Sequence, residues 1–435
     1  MHRFLDILYA ILTTLIALAG PLYRKLIGKW DGDWQGHTGR TNIPATSKKR
    51  VLIHAVSVGE INAAKQLVAQ INQQWPQQVE AVVCPSTTTG LKQAQDNFAE
   101  SNPIARFPFD HPLFVRTFLN RTRPDAIVMI ESDIWPGFMR ACYKRNIPVL
   151  VLNGRMSDRS HRKWKRMPSP VTDWLFSNIT GVAVQDETYR QHFTSVGVPP
   201  DRVTVAGNMK WDTALISNPP GEADKLAKQL GINRDKPLIV VGSSGPGEEA
   251  LITQQLDKVS FNDQPIQFLF VPRKPERFDE AAAAIANFSK QTVVRWSHCV
   301  QNQTQTPADQ RYFLLDTIGR LTLAYELADM VIIGRTFNHQ RGSNMLEPLA
   351  FAKPTIIGPN TQDFVDITQT LLNHDAIIQL DSPDQLAPTV ESLFSDTGRQ
   401  LGKRGLETIR SQQGATSRNL RVLAEAMNLP ISPSE

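Results

Sequence analysis

The chain has 435 residues, of which 41% are hydrophobic and 20% charged, so it is a folded protein too long for one ordinary domain. Its net charge of +5 is mild and no zinc-finger, RNA-recognition or homeodomain pattern occurs, so we expect no nucleic-acid partner. The three cysteines are far apart, which excludes a disulfide framework and fits a reducing compartment.

The N-terminal segment FLDILYAILTTLIALAGPLY, residues 4–23, is apolar almost throughout and about long enough to span a bilayer. Three interpretations stay open: a cleaved signal peptide, a membrane anchor, or a helix lying on the bilayer surface. Positive charge is heavier after the segment than before it, which predicts a cytoplasmic body and favours the anchor or the surface helix. The residues concerned are Arg24, Lys25 and Lys29 after the segment and Arg3 before it.

The segment from residue 51 to the C-terminal region alternates between strands and helices in two series, separated by a Pro-Pro-Gly linker around 211–236. Such alternation predicts parallel sheets covered by helices on both faces. The fold class is therefore α/β, with two Rossmann-like domains facing a cleft. The predicted strands are 51–56, 79–84, 125–130, 148–152, 180–184, 202–206, 237–244, 266–272, 292–296, 330–334 and 354–358.

The stretch VLIHAVSVGEINAAKQLV, residues 51–68, runs from a strand directly into an apolar-periodic helix. Ser57 and Glu60 have the spacing of a capping box, in which the two side chains satisfy free N–H groups at a helix start. The same place suits a general base, since ligands of α/β proteins bind at the carboxyl edge of the sheet. Both interpretations stay open from this stretch alone.

Other strands of the first series also end in polar residues. Glu131 and Asp133 follow strand 125–130, either as an exposed capped turn or as groups that position Glu60 or raise its pKa by like-charge repulsion. Basic residues cluster over 155–166, either as a solvated face or as a contact for an anionic lipid or phosphate.

In the second series, GSSGPGEE (242–249) and RGSNMLEPLAFAKP (341–354) open helices after strands and are candidate anion cradles. Neither is a Walker A loop or a G-x-G-x-x-G fingerprint. Asn344 and Glu347 have capping spacing, which competes with a role in binding a ribose. No zinc-site spacing and no G-x-S-x-G nucleophile elbow occurs. Cations for a phosphate or a sugar carboxylate come from Arg273, Arg335 and Arg341.

Taken together and in order, these junctions resemble one family, the 3-deoxy-D-manno-octulosonic acid (Kdo) transferases of lipid A assembly. The similarity covers nearly the whole chain, including the apolar N-terminal segment. The matching pieces are IHAVSVGE, STTTG, ESDIWPG, NGRMSDRS, QDETYRQHFTSVGVPPDRVTVAGNMKWD, PRKPERF, DTIGRL and GSNMLEPLAFAKPTIIGP.

The resemblance implies an inverting glycosyltransferase with the B-type two-domain fold. Such an enzyme transfers Kdo from CMP-Kdo to a lipid A precursor at the cytoplasmic face of the inner membrane, with no metal or cofactor in the catalytic site. It implies an anchor or monotopic helix over 1–30, an acceptor-binding domain over 31–212, a CMP-sugar-binding domain over 213–410 and a C-terminal helix and tail over 411–435.

The resemblance also assigns expected roles to single residues. Glu60 looks like the general base that deprotonates the acceptor hydroxyl, and Glu131 like a second acidic residue of the catalytic site. The residues expected to bind the donor are Arg273, Gly319, Gly342, Ser343, Asn344 and Glu347. Those expected on the acceptor and membrane side are Ser57, Asp133, Arg155 and Arg159.

The sequence departs from the family pattern in its second half. Gly245, Lys274 and Ser343 stand where the family has histidine, and Arg320 stands where an acidic residue is usual. These changes leave open a transferase that uses another CMP- or UDP-sugar. Two further alternatives are a hydrolysing sugar-nucleotide epimerase of the same fold and a non-catalytic, membrane-anchored sugar-binding protein.

Overall fold

The structure is a computed structural model that describes residues 2–26, 32–131, 133–214, 217–257, 259–261, 264–302, 306–307 and 309–431. Lys29 and the predicted boundary at residue 30 lie outside the described residues. The chain divides into two compact units, Met1–Thr213 with Gln412–Glu435, and Ala214–Ser411. Each unit is built on a parallel sheet, so the predicted α/β fold with two Rossmann-like domains is confirmed.

The first unit contains a six-stranded sheet in the order β2-β1-β3-β4-β5-β6. Its strands are β1 (Lys49–Ala55), β2 (Val79–Pro85), β3 (Ala126–Ile130), β4 (Val149–Gly154), β5 (Gly181–Val184) and β6 (Val203–Val205). Its helices are α1 (His2–Leu26), α2 (Trp34–His37), α3 (Val58–Gln74), α4 (Thr88–Phe98), α5 (Pro112–Thr122), α6 (Pro136–Tyr143), α7 (Asp158–Lys165), α8 (Ser169–Phe176) and α9 (Glu187–Ser195), with 3₁₀ turns at Pro200–Arg202 and Met209–Ala214.

The second unit contains a seven-stranded parallel sheet in the order β11-β12-β10-β7-β13-β14-β15, beside a short antiparallel pair, β8-β9. The strands are β7 (Leu238–Ser244), β8 (Ser260–Phe261), β9 (Gln264–Pro265), β10 (Gln267–Pro272), β11 (Val293–Arg295), β12 (Tyr312–Leu314), β13 (Met330–Ile333), β14 (Thr355–Ile357) and β15 (Ile378–Gln379). The helices are α10 (Glu222–Leu230), α11 (Glu248–Leu256), α12 (Phe278–Ser289), α13 (Trp296–Asn302), α14 (Leu321–Leu327), α15 (Leu346–Ala350), α16 (Val365–Asn373), α17 (Leu386–Leu393) and α18 (Asp396–Gln412), with 3₁₀ turns at Pro275–Arg277 and Pro383–Gln385.

The core of each unit lies between its sheet and the helices that cover it. In the first unit, side chains from alternate positions of the strands enter two apolar clusters, one on each face of the sheet. This burial on both faces explains why the strands read as continuous apolar runs, such as AIVMI in β3. The last helix, α19 (Ala415–Met427), returns to the first unit and packs Leu420, Leu423 and Ala424 into one of these clusters.

The strand order of each sheet reverses at one point, and ligands of open α/β sheets bind outside the carboxyl ends of the strands at such a point. In the first sheet the reversal lies between β1 and β3, which flank each other in parallel. In the second it lies between β7 and β13. The residues that follow these four strands therefore occupy the expected binding edges.

Helix α1 presents two different faces. Among the described residues it is the one helix long and apolar enough, by length and composition, to cross a membrane. One face is docked on the first unit, where α1 contacts α6 and α8. The other face exposes large apolar side chains, namely Phe4, Ile7, Leu8, Ile11, Leu12, Leu15, Ile16 and Leu18.

Candidate active site

Glu60 lies in the first turn of α3, directly after β1. The Ser57 Oγ accepts a hydrogen bond from the Glu60 N–H at 3.3 Å and donates to Glu60 Oε1 at 2.8 Å. Glu60 Oε2 accepts from the backbone N–H of Val56 at 2.7 Å. The capping interpretation is therefore confirmed, although the glutamate reaches one residue further back than in the usual capping box.

The environment of Glu60 changes its acidity. Burial raises the pKa of the Glu60 carboxyl, and the negative charges of Glu131 and Asp133 raise it further, while the bonds from Val56 and Ser57 act in the opposite direction. A carboxylate is a better general base when its pKa approaches the working pH. The capping residue Glu60 is therefore a carboxylate whose basicity is increased by burial and by the charges of Glu131 and Asp133.

Glu131 follows β3 and has an unusual backbone conformation. Its φ of 65° is in the left-handed region, which residues other than glycine seldom occupy and which is often found at functional sites. Its N–H donates to Leu152 O at 3.0 Å and its carbonyl accepts from the Arg155 N–H at 3.3 Å, so both bonds tie it to the end of β4. The Glu131 Oε1 lies 3.8 Å from Lys210 Nζ.

Asp133 lies beside a buried histidine. Its Oδ2 is 3.6 Å from His54 Nε2, which accepts a hydrogen bond from Trp135 Nε1–H at 3.1 Å. Because an indole only donates, Nε2 carries no proton, and the proton of a neutral His54 is on Nδ1, 2.7 Å from Cys84 O. The contact with Asp133 is therefore not an ion pair. The Asp133 Oδ2 is buried and has no hydrogen-bond partner within the described part of the chain, whereas the side chain as a whole is 38% exposed.

The two predicted acceptor-side arginines have different surroundings. Arg155 follows β4, and its Nε donates to Tyr189 Oη at 3.2 Å. Arg159 is exposed in the first turn of α7. The structure thus groups Ser57, Glu60, Glu131 and Asp133 at one sheet edge, whereas Arg159 belongs to a basic helix surface.

In the second unit, two adjacent carboxylates link segments at the carboxyl ends of the strands: Glu248 those after β7 and β13, and Glu249 the end of β7 and the turn after β10. Glu248 is buried, and its carboxylate accepts three backbone N–H bonds, from Gly245, Arg335 and Phe337. Glu249 accepts from Ser244 Oγ at 2.7 Å and forms a two-bond ion pair with Arg277, at 3.1 and 2.9 Å. The contacts of Glu248 and Glu249 fix the positions of the loops at the carboxyl ends of the strands in the second sheet.

Arg273, Asn344 and Glu347 lie near one another at the same edge. Burial raises the pKa of Glu347, while the Asn344 bond and the charge of Arg273 lower it. Asn344 Nδ2 donates to Glu347 Oε1 at 3.0 Å, and its Oδ1 accepts from the Leu346 N–H at 3.2 Å. Capping is therefore part of what Asn344 does, and the Glu347 carboxylate is within electrostatic reach of a guanidinium.

The remaining predicted donor-side residues differ in accessibility. Ser343 is buried, and its Oγ has no partner among the residues that the structure describes. Gly342 has a φ of 98°, and an added Cβ would lie 3.2 Å from Asn360 O. Gly319, with a φ of 84° in the turn before α14, faces open space. A side chain at Gly245 would overlap Gln340 Oε1, so this glutamine fills the place that a larger residue would take.

Several residues of these two edges were not singled out from the sequence. Lys210, Glu248 and Glu249 lie within quoted motifs, but a motif does not show which distant residue each side chain contacts. His54 is a buried strand residue, 0% exposed, and nothing in its local sequence separates it from the apolar residues around it. Across the described residues, no three His, Cys, Asp or Glu side chains form a group that would hold a metal ion.

Comparison with known proteins supports these observations. Residues 32–213 match the family model described as 3-Deoxy-D-manno-octulosonic-acid transferase (kdotransferase). A 3-deoxy-D-manno-octulosonic acid transferase of Haemophilus influenzae is 29% identical over 417 residues, which cover 94% of this chain and 93% of the relative. The chain therefore resembles the Kdo transferase family over nearly its whole length. It is thus a glycosyltransferase, and the family works in lipopolysaccharide assembly.

Other relatives agree over the full length. The 3-deoxy-D-manno-octulosonic acid transferase of Chlamydia pneumoniae is 25% identical over 436 residues, with 97% of each chain covered. Among solved structures, a glycosyltransferase from Rickettsia africae covers 88% of this chain and 99% of its own, with 13% identity and a TM-score of 0.56. At that identity the likeness supports the B-type fold and nothing finer.

Proposed function

We propose that this glycosyltransferase moves Kdo from CMP-Kdo to a lipid A precursor, with inversion at the anomeric carbon and with Glu60 as the general base. The observation that carries the proposal is the Glu60 carboxylate itself. It lies at the switch point of the first sheet, it is held by two hydrogen bonds, and its pKa is raised.

The reaction follows from these groups. An acceptor hydroxyl attacks the anomeric carbon of Kdo while Glu60 takes its proton, and the bond to the phosphate oxygen breaks with CMP leaving as the anion. Glu131 and Asp133 keep Glu60 basic by adding negative charge nearby. The Asp133 side chain is 38% exposed, so its carboxylate is a suitable acceptor for a second sugar hydroxyl, which would orient the attacking one.

The second unit supplies the groups that suit a CMP-sugar. The donor carries a phosphate and a sugar carboxylate, and Arg273 and Arg335 are two cations at the carboxyl ends of β10 and β13. Glu347 is positioned by Asn344 to accept from ribose hydroxyls. The open space at Gly319 leaves backbone accessible to the ligand.

A lipid acceptor and a membrane surface fit the first unit. Trp174 and Phe176 of α8 connect α1 with α7, because Trp174 packs on Tyr9 of α1 and Phe176 packs on Trp164 of α7. The apolar face of α1 and the basic face of α7 therefore flank the same helix, a combination that binds anionic membranes. We place the enzyme at the cytoplasmic face of the inner membrane.

A second candidate is a transferase with a different CMP- or UDP-sugar donor. It is favoured by the substitutions at the second edge, where Gln340 covers Gly245 and the buried Ser343 Oγ has no partner among the residues described. Histidines at these two positions would present a larger, titratable surface to the donor.

The test is a product assay with detergent-solubilised protein and a tetraacylated lipid A precursor. CMP-Kdo, CMP-N-acetylneuraminate and UDP-N-acetylglucosamine are supplied in parallel, and the lipid is analysed by mass spectrometry. We expect a mass gain of one or more Kdo units with CMP-Kdo alone, together with CMP release. A gain with only another donor would replace the proposed function by the second candidate.

A further inference from the structure

The docked face of α1 is held by specific polar contacts. Tyr9 Oη donates to Asp110 Oδ2 at 2.6 Å, and the ring of Tyr9 lies 5.7 Å from that of Trp174. Nearer the N-terminus, Asp6 accepts hydrogen bonds from Arg140 Nε at 3.1 Å, Lys144 Nζ at 2.7 Å and Trp174 Nε1 at 2.9 Å. The helix is thus tied to one place on the first unit by specific pairs.

Of these described partners of Tyr9 and Asp6, Asp110 alone also caps the start of another helix, α6. It is 7% exposed, and its carboxylate accepts from the Gly137 N–H at 2.8 Å and the Phe138 N–H at 2.6 Å. Helix α6 has no capping bond from its own N-cap residue, Trp135. Asp110 therefore caps α6 from a distant segment, and free N–H groups at a helix start need such a partner.

Gly137 shows that this cap requires close approach. A Cβ at that position would lie 2.9 Å from Asp110 Oδ1 and 3.1 Å from its carbonyl oxygen. A larger residue would push the carboxylate away from the helix start. The Asp110 carboxylate thus contacts both Tyr9 of α1 and Gly137 of α6.

The loop that this cap fixes is part of the candidate active site. Its described residues are Glu131 and 133–135, and it ends where α6 begins. The end that adjoins α6 is also held by the Trp135 bond to His54. Any movement of the α6 start is therefore passed to Asp133, two residues before Trp135.

We propose that Tyr9 is a positioning residue: through Asp110 it fixes the start of α6 and thereby the loop that carries Glu131 and Asp133. The docking of α1 then contributes to the geometry of the active site as well as to membrane attachment. This inference rests on the proposed function in treating the loop as catalytic.

The test compares Tyr9→Phe with Thr14→Val. Tyr9→Phe keeps the ring and the apolar face of α1 and removes only the donor to Asp110. Thr14 is a matched control, because its hydroxyl lies 3.1 Å from Nε2 of His111, the neighbour of Asp110, and contacts no group of α6. Both variants are made in full-length protein labelled with 5-fluorotryptophan, and Trp135→Phe assigns the resonance of Trp135.

For Tyr9→Phe we expect a shifted Trp135 fluorine resonance and a kcat lowered about tenfold, since small displacements in an active site cost this much or more. KM and binding to anionic vesicles should not change, and Thr14→Val should match wild type in every measurement. An unmoved resonance, or a shifted resonance with unchanged kcat, overturns the proposal. The resonance needs no substrate, so it still tests the positioning if CMP-Kdo transfer itself is not found.

Discussion

Replacing Ser57 by alanine separates the two roles of the Ser57–Glu60 pair. The hydroxyl caps α3 through its 3.3 Å bond with the Glu60 N–H, and loss of such a cap costs about 1 kcal/mol of stability. It also donates to Glu60 Oε1 at 2.8 Å, one of two donors on that carboxylate. The variant should therefore lose stability and also change the acidity of the base.

The direction of each change follows from the raised pKa of Glu60. Because Ser57 lowers that pKa, its removal raises it further, and the acidic limb of the profile of kcat/KM against pH moves to higher pH. A group whose pKa is raised on folding destabilises the fold as pH rises. The stability deficit of Ser57→Ala is therefore about 1 kcal/mol at acid pH, where Glu60 is protonated, and larger at neutral pH.

The assays are a profile of kcat/KM against pH and thermal unfolding at several pH values. Ser157→Ala is the matched control, because Ser157 Oγ caps α7 by accepting from the Ser160 N–H at the same 3.3 Å and donates to the Ser160 Oγ instead of a carboxylate. It should lose similar stability and leave the acidic limb in place. The assignment of the acidic limb to Glu60 would be refuted if that limb did not shift, or shifted to lower pH, in Ser57→Ala.

Three further predictions concern stability, metal and membrane. Arg277→Met leaves the buried Glu249 carboxylate without its ion pair, so thermal unfolding should show that stability falls by about 3–5 kcal/mol. The double replacement Arg277→Met/Glu249→Met should restore most of that stability. A loss below about 1 kcal/mol in the single variant would contradict this. Chelation with EDTA should leave the transfer rate unchanged, and a rate restored only by adding Mg²⁺ would show a metal requirement. Replacing Leu8, Leu12 and Leu15 on the exposed face of α1 by serine should release the protein from anionic vesicles in a flotation assay, with thermal stability unchanged.

Hydrophobic runs were enough to predict most strands of both sheets. The run AIVMI forms β3 over Ala126–Ile130, and PLIVVGSS forms β7 over Leu238–Ser244, because strands buried on both faces are apolar at every position. Strands β12 (Tyr312–Leu314) and β15 (Ile378–Gln379) were not predicted, and the two residues of β15 are fewer than a reliable pattern needs. The structure returns the C-terminal helix, α19, to the first unit, a contact between segments that are distant in the chain.

The candidate site could be predicted only in part. Parallel strands bring their carboxyl ends to one edge, so Glu60 and Glu131 could be expected near each other from their places in the chain. The partners that define their chemistry come from distant segments. Lys210 faces Glu131, and Asp110 caps α6 with the help of Tyr9, contacts that no local sequence pattern predicts.

The central claim is that Glu60 removes the acceptor proton during Kdo transfer. The most direct test is the rate of single-turnover Kdo transfer from CMP-Kdo to the lipid precursor, compared between wild type and Glu60→Gln. Glutamine can still accept from the Val56 N–H and donate to Ser57 Oγ, so the cap persists while the base is lost. The control is Glu187→Gln, an exposed first-turn carboxylate of α9.

We predict that Glu60→Gln keeps the thermal stability and CMP-Kdo affinity of wild type and loses at least about 10²-fold in rate, the contribution of a general base. The Glu187→Gln rate should equal that of wild type. A Glu60→Gln enzyme that transfers Kdo at the wild-type rate would contradict the account and leave Glu60 with its capping role alone.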